Sequence, residues 1–308
     1  MPTRHTMPAL ATRTLQVDNC DIHLSETGDG FPVLMLHGGG PGASGVSNYS
    51  RNIAALAERF RVIIPDMPGY GRSAKRVNRK DPFGGLARYM LGLLDALDIQ
   101  TAHVIGNSLG GAVALRMALD APARVSSLVL MGPGGVDTTR SLPTPGLKQL
   151  LDYYEGSGPS LEKLRRFIRE ALVYDGSRVP DSLIEERFRA SIDPEVVASP
   201  PLRRPRGIPD FRALDFTRDP RLGRCETSTL VLWGMEDRVN RPSGARSLQK
   251  RMPNCDVYLF GRTGHWVQWE RAREFNGSVT AFLLAAGCKD KGEVDDGEAD
   301  SGQAYHND

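Results

Sequence analysis

The sequence lacks any apolar run approaching the ~20 residues needed to cross a bilayer, which excludes a membrane-spanning helix. Its charge is almost balanced, with 39 Lys+Arg against 37 Asp+Glu and a net charge of +2. There is thus no electrostatic footprint for nucleic acid or an anionic membrane surface. Cysteine is scarce. Cys20, Cys225, Cys255 and Cys288 lie far apart, with no CxxC and no His-rich partner, so they read as reduced thiols of a cytoplasmic protein and argue against zinc. The first residues are interrupted by Pro2 and Pro8 and hold no apolar stretch suited to a secretory signal. What is present is ordinary for a globule: 308 residues, 40% hydrophobic and 25% charged, which excludes wholesale disorder. That length suits one large α/β unit with room for an inserted subdomain.

Along the chain, strand and helix signals alternate. After a loose segment, 1–13, residues 14–17 and 21–25 read as a hairpin. Residues 31–36 form a continuous apolar run that stops in His37-Gly-Gly-Gly-Pro-Gly42, as expected of a parallel strand buried on both faces. Further strands are expected at 61–65, 102–105, 125–131, 228–233 and 256–260, with helices at 52–59, 86–97 and 111–119. This rhythm predicts a mostly parallel, doubly wound sheet. From 137 to 214 the pattern turns helical only, clearest at 161–173 and 182–191, and is broken repeatedly by proline. An inserted helical cap, or lid, is therefore expected between two core segments, 14–136 and 215–288. Residues 289–308 hold seven acids and two lysines, and read as a disordered acidic tail.

Gly106-Asn107-Ser108-Leu109-Gly110 fits G-x-S-x-G between an expected strand and an expected helix. That is the setting of a nucleophile elbow, where the turn is too tight for side chains around the serine. A serine of ordinary pKa needs a base, and the base an orienting acid. In chain order, Asp237 and His265 follow, each just past an expected strand, where open α/β sheets gather their functional loops. Glu236 competes for the acid. His37 ends a strand and reads as a brace for its loop. An oxyanion needs main-chain donors. Leu109 supplies one, and the glycine run supplies the other, with Gly39 preferred over its neighbours Gly38 and Gly40. A phosphate loop is excluded, because neither G-x-x-x-x-G-K-[ST] nor G-x-G-x-x-G occurs there.

Residues 14–286 resemble the meta-cleavage product hydrolases, α/β-hydrolases that cut carbon–carbon bonds in the dienoates of aromatic-ring degradation. The resemblance rests on His37-Gly-Gly-Gly-Pro-Gly-Ala43, Ser47-Asn-Tyr-Ser-Arg-Asn52, Asp66-Met-Pro-Gly-Tyr-Gly-Arg-Ser73, Gly106-Asn-Ser-Leu-Gly-Gly111 and Gly264-His-Trp-Val-Gln-Trp269. It implies an α/β-hydrolase fold and a 2-hydroxy-6-oxo-dienoate substrate. It also implies hydrolysis to a 2-hydroxydienoate and a carboxylic acid, without a cofactor because the dienoate stabilises the departing carbanion. Arg187 then matches the carboxylate-binding arginine, Asn48 and Asn107 the amides at the oxygenated end, Trp266 an aromatic wall, and Gly40 and Ser177 further substrate contacts. Self-association into a dimer or larger oligomer is implied as well. The resemblance leaves open whether Ser108 forms an acyl-enzyme or activates water towards a gem-diol. The cap offers Leu150, Leu151, Tyr153, Tyr154, Phe167, Val173 and Tyr174 around the C6 substituent, with Trp266 and Val239 from the core; this apolar inventory favours a bulky group.

Rival readings share the triad. An esterase or thioesterase needs nothing more, and prolyl iminopeptidases have a similar glycine loop but need acids for an amino terminus where this cap offers Arg187. Dehalogenases and epoxide hydrolases of the fold use an aspartate nucleophile, which Ser108 excludes. A non-catalytic binding protein would have little reason to keep all three triad groups.

Overall fold

The computed structural model describes residues 8–76, 78–138, 142–204 and 211–289. Eight strands form one sheet: β1 (Ala11–Val17), β2 (Cys20–Thr27), β3 (Phe31–Leu36), β4 (Phe60–Pro65), β5 (Ala102–Asn107), β6 (Val125–Met131), β7 (Ser228–Gly234) and β8 (Cys255–Phe260). Their order is β1-β2-β4-β3-β5-β6-β7-β8. Only β1/β2 and β2/β4 pair antiparallel; from β4 to β8 every pairing is parallel. This is a doubly wound α/β-hydrolase sheet.

The apolar runs explain the two layers. Leu34, Leu36, Val104, Leu128, Leu130 and Val231 point to one face, where helices Pro82–Ala96 and Leu109–Asp120 bring Ala87, Met90, Leu94, Ala112 and Leu115. Val33, Met35, Ile105, Val129, Met131 and Leu232 point to the other, against Ile53, Leu56, Phe275, Val279 and Leu283. Alternate residues of each central strand thus enter opposite cores, which is why these strands are apolar throughout.

Between β6 and β7 the described residues form no strand. Helices Pro145–Leu151, Leu161–Arg166, Asp181–Ser191, Pro194–Ala198 and Phe211–Leu214 follow one another. Three start on side-chain caps from Thr144, Ser160 and Asp193, and Pro145 and Pro194 occupy first-turn positions where a missing N–H costs nothing. Leu150, Tyr153, Leu164, Phe167, Ile168 and Ile184 gather into a third cluster with Val239, Trp266 and Trp269 of the flanking segments, so the helical insert packs onto the C-terminal ends of the strands.

Three expectations need correction. Strand β1 begins at Ala11, inside the segment expected to be loose as far as residue 13, because its main chain pairs with β2 from Ala11↔Glu26 onward. The helix expected over 161–173 is α-helical only to Arg166; Phe167–Leu172 winds as a wider π-turn. The final helix, Ala272–Lys289, includes the residue at which the tail was expected to begin. The remaining tail positions, 290–308, and positions 1–7 lie outside the described residues.

Candidate active site

The centre of the site is the turn between β5 and helix Leu109–Asp120. Ser108 there adopts φ 53° and ψ −111°, a left-handed conformation costly for a residue with a side chain. Close packing around it holds that conformation. A Cβ on Gly106 would lie 2.3 Å from the Gly110 carbonyl oxygen, and one on Gly110 would lie 2.1 Å from that of Leu36. Both positions must therefore be glycine for strand and helix to approach this closely.

His265 lies past β8, with its ring buried. Its Nδ1 is 2.7 Å from Asp237 Oδ2, so Nδ1–H donates to the carboxylate and Nε2 is left with its lone pair. Nε2 has no partner among the described residues. Asp237 is fixed from every side: Trp233 Nε1–H donates to Oδ2 at 2.9 Å, and the N–H groups of Val239 and Asn240 donate to Oδ1 at 2.8 and 2.9 Å. Glu236 is occupied elsewhere, accepting the Thr263 N–H at 2.9 Å. Gly132 leaves the space beside this pair free, since a Cβ there would lie 3.0 Å from Asp237 Oδ2 and 3.1 Å from His265 Nδ1.

The glycine loop after β3 closes the opposite side. His37 is fully buried and braces it: Nδ1–H donates to the Gly38 carbonyl at 2.8 Å and Nε2 accepts the Met67 N–H at 2.9 Å. Burial pushes this imidazole below its ordinary range, so it serves as a neutral two-ended strut. A Cβ on Gly39 would lie 3.1 Å from a Leu109 side-chain carbon, which places the loop directly against the start of the helix. One cavity is lined by Gly38, Gly39, Gly40, Asn48, Asn107, Ser108, Arg187, His265 and Trp266, with Leu150, Phe167 and Leu172 from the insert. Thus the structure brings together most of the residues singled out from the sequence, with Leu109 and Asp237 immediately behind.

Arg187, on helix Asp181–Ser191, is only 4% exposed. Its Nε–H donates to the Pro41 carbonyl at 3.3 Å, and no carboxylate pairs with it among the described residues. Burial pulls the guanidinium down to about 10 from its ordinary 12.5, which still leaves it charged at neutral pH. Asn48 is buried too, and its Nδ2 has no hydrogen-bond partner among the described residues. Asn107 Nδ2 donates to the Met131 and His265 carbonyls at 3.3 and 3.4 Å. The Trp266 ring lies 5.4 Å from the Arg187 guanidinium on one side and stacks on Trp269 at 5.3 Å.

Ser177 does not join them. It is exposed, and its hydroxyl donates to Asp175 Oδ1 at 2.6 Å within a short turn of its own, so its expected substrate contact is withdrawn. Tyr174, at 40% exposure, is likewise not among the residues that line the cavity. Leu172 and Tyr70 were missed. Leu172 lines the cavity from the end of the π-turn, and the Tyr70 hydroxyl donates to the Gly39 carbonyl at 3.2 Å. No spacing in the sequence marked either one.

A family described as the alpha/beta hydrolase fold matches residues 32–159. A 2-hydroxy-6-oxo-6-phenylhexa-2,4-dienoate hydrolase of Burkholderia cepacia is 42% identical over 281 residues, 87% of this chain and 92% of that protein. A 2-hydroxy-6-oxononadienedioate/2-hydroxy-6-oxononatrienedioate hydrolase of Comamonas testosteroni is 38% identical over 279 residues, 87% of this chain and 92% of that one. Among solved structures, a meta-cleavage product hydrolase from Pseudomonas fluorescens IP01 is 32% identical, with a TM-score of 0.79 over 89% of this chain and 98% of that one. Identity at this level across most of the chain, on this sheet, makes the protein a member of the meta-cleavage product hydrolase family of α/β-hydrolases.

Proposed function

We propose that the protein hydrolyses a carbon–carbon bond in a 2-hydroxy-6-oxo-hexa-2,4-dienoate, consuming one water and releasing a 2-hydroxydienoate and a carboxylic acid. The observation that carries this reading is Arg187: a buried guanidinium with no counter-ion among the described residues, facing the same cavity as Ser108 and His265. A buried charge without a partner is costly, and a carboxylate-bearing substrate supplies the partner. A neutral ester would leave it unpaired. Residues 137–214 act as the cap that carries this arginine over the core.

In this reading Arg187 pairs with the substrate carboxylate, while Gly40, Asn48 and Asn107 hold the oxygenated end and Trp266 walls the conjugated chain. Asp237 keeps the His265 Nδ1–H directed away from substrate, so Nε2 can move a proton as the dienol ketonises and then take one from Ser108. Ser108 serves attack at C6. The main-chain N–H groups of Gly39 and Leu109 hold the oxyanion, the latter helped by its place at the positive end of a helix. Electrons of the breaking C5–C6 bond pass into the ketonised chain, and a proton completes the hydroxydienoate. Leu150, Phe167 and Leu172 give the C6 side apolar walls, which supports a bulky C6 group over hydrogen.

The test is to follow absorbance when wild-type and S108A proteins meet a coloured meta-cleavage product and, separately, a nitrophenyl ester. Wild type should consume the dienoate with much the higher kcat/KM, and S108A should bind it yet lose ~10³-fold or more in rate. Preference for the ester would favour a carboxylesterase, and wild-type turnover in S108A would remove Ser108 from the chemistry.

A further inference from the structure

The loop that presents His265 ends in the short helix Val267–Glu270, and Glu270 folds back over it. Its Oε1 accepts the Gly264 N–H at 2.9 Å, one residue before the histidine. Its Oε2 accepts the Tyr174 N–H at 2.8 Å, from the segment that follows the π-turn of the insert. Beside these, the His265 N–H donates to the Leu172 carbonyl at 2.9 Å. The two segments touch without a side chain between them, since a Cβ on Gly264 would lie 2.7 Å from the Val173 carbonyl carbon. Leu172 and His265 both line the same cavity. A single carboxylate thus bridges the loop carrying the histidine and the segment of the insert that covers it. Nothing in the reaction proposed above uses it.

We propose that Glu270 is a positioning residue, a clasp joining the cap segment 172–174 to the histidine loop so that seating of the cap and orientation of His265 occur together. The inference rests on the reading of His265 as the catalytic base. Supporting groups must hold a base to within a fraction of an ångström, and Glu270 is a side chain that ties this loop to the insert through main-chain donors of both. An acid group with two oxygens suits the task, because each oxygen can take one main-chain donor from a different segment. Glutamine offers a single acceptor and sets an N–H₂ group against the second donor. Alanine offers none.

Two readouts on E270Q and E270A test the clasp. Hydrogen exchange of the substrate-free proteins should show protection at Tyr174 and Gly264 falling in the order wild type, E270Q, E270A. Steady-state turnover of the dienoate should show kcat falling in the same order, on the order of 10- to 100-fold for E270A, while KM moves less than ~3-fold because Arg187 and the two asparagines are untouched. E270Q is nearly isosteric and keeps the test open if E270A folds poorly. Wild-type protection at both amides in E270A or E270Q would overturn the proposal. So would a loss of kcat matched by an equal rise in KM, which would mark general damage to the site. Exchange is read without substrate, so a wild-type protein inert toward the dienoate would refute the proposed function, whereas lost protection in the variants would still support the clasp.

Discussion

A guanidinium held in a dry wall without a counter-ion is destabilising to the free protein and useful only once an anion arrives. Among the described residues Arg187 is in that position, and its neighbourhood enforces it. A Cβ on Gly42 would lie 1.8 Å from the Arg187 carbonyl oxygen and one on Gly40 would lie 3.0 Å from Nη2, so the glycine loop packs against the arginine along its length. Replacing Arg187 with Gln should therefore act on substrates selectively. For the dienoate, kcat/KM should fall by a factor corresponding to about 2–5 kcal/mol, the usual cost of truncating one partner of a desolvated charged pair. A neutral nitrophenyl ester should be hydrolysed almost as before. The free variant should unfold at the same temperature or a higher one, since a buried unpaired charge has been removed. Equal losses on both substrates, or a lowered unfolding temperature, would show that the arginine holds the insert in place and does not recognise an anion.

At the scale of elements, the site depends on how closely helix Leu109–Asp120 approaches the sheet. Gly110 lies where the helix crosses β3, and a methyl group there would lie 2.1 Å from the Leu36 carbonyl oxygen and 2.6 Å from that of His37. Main chain cannot yield as a flexible side chain can. Gly110→Ala should cost about 1–3 kcal/mol by overpacking, despite alanine's better helix propensity. It should also lower turnover by tilting Ser108 and the Leu109 N–H away from the cavity. Thermal unfolding with parallel kinetics measures both, and an unchanged midpoint would mean that the helix can shift without harm. The same elements explain what could be read in advance. Strands β5, β7 and β8 end where apolar runs meet glycine, so Ser108, Asp237 and His265 could be placed at strand ends from the sequence alone. The groups around them were less legible. A glutamate five residues after the histidine looks like a solvated helix residue, and only the fold shows Glu270 accepting from Gly264 and Tyr174. Ser177 was misplaced for the opposite reason: a matching position says nothing about a hydroxyl that Asp175 captures within its own turn. Helical periodicity over 161–173 likewise carried no sign of the π-turn that delivers Phe167 and Leu172 to the cavity.

At the scale of the molecule, insert and core share one apolar cluster, and the cavity lies in the seam between them. Glu270 lies in that same seam, which makes the seam sensitive to pH in a direction that can be worked out. Burial pushes its carboxyl up to about 7 from an ordinary 4.5, outweighing the downward pull of the N–H donors and of Arg178 on the insert. The nearby cations of the core are otherwise engaged: Arg51 donates to the Trp269 carbonyl and lies over that ring, and Arg271 donates to Thr263 Oγ1 and the Gly261 carbonyl. Between 4.5 and about 7 the folded chain retains a proton that the unfolded chain has released. Stability from this group is therefore complete below the lower value and is lost as pH rises through the upper one. Opening of the seam alone, which hydrates the carboxylate, follows the same sign. E270Q has no such proton to lose. The unfolding temperature of wild type relative to E270Q should accordingly fall as pH rises from about 5 to 7.5, and the two curves should run parallel above that. Protection of the Tyr174 amide, corrected for intrinsic exchange, should decline over the same interval in wild type and stay level in E270Q. A difference curve that is flat, or that rises with pH, would mean that the carboxylate is already ionised throughout this range and that the seam holds it as a charge.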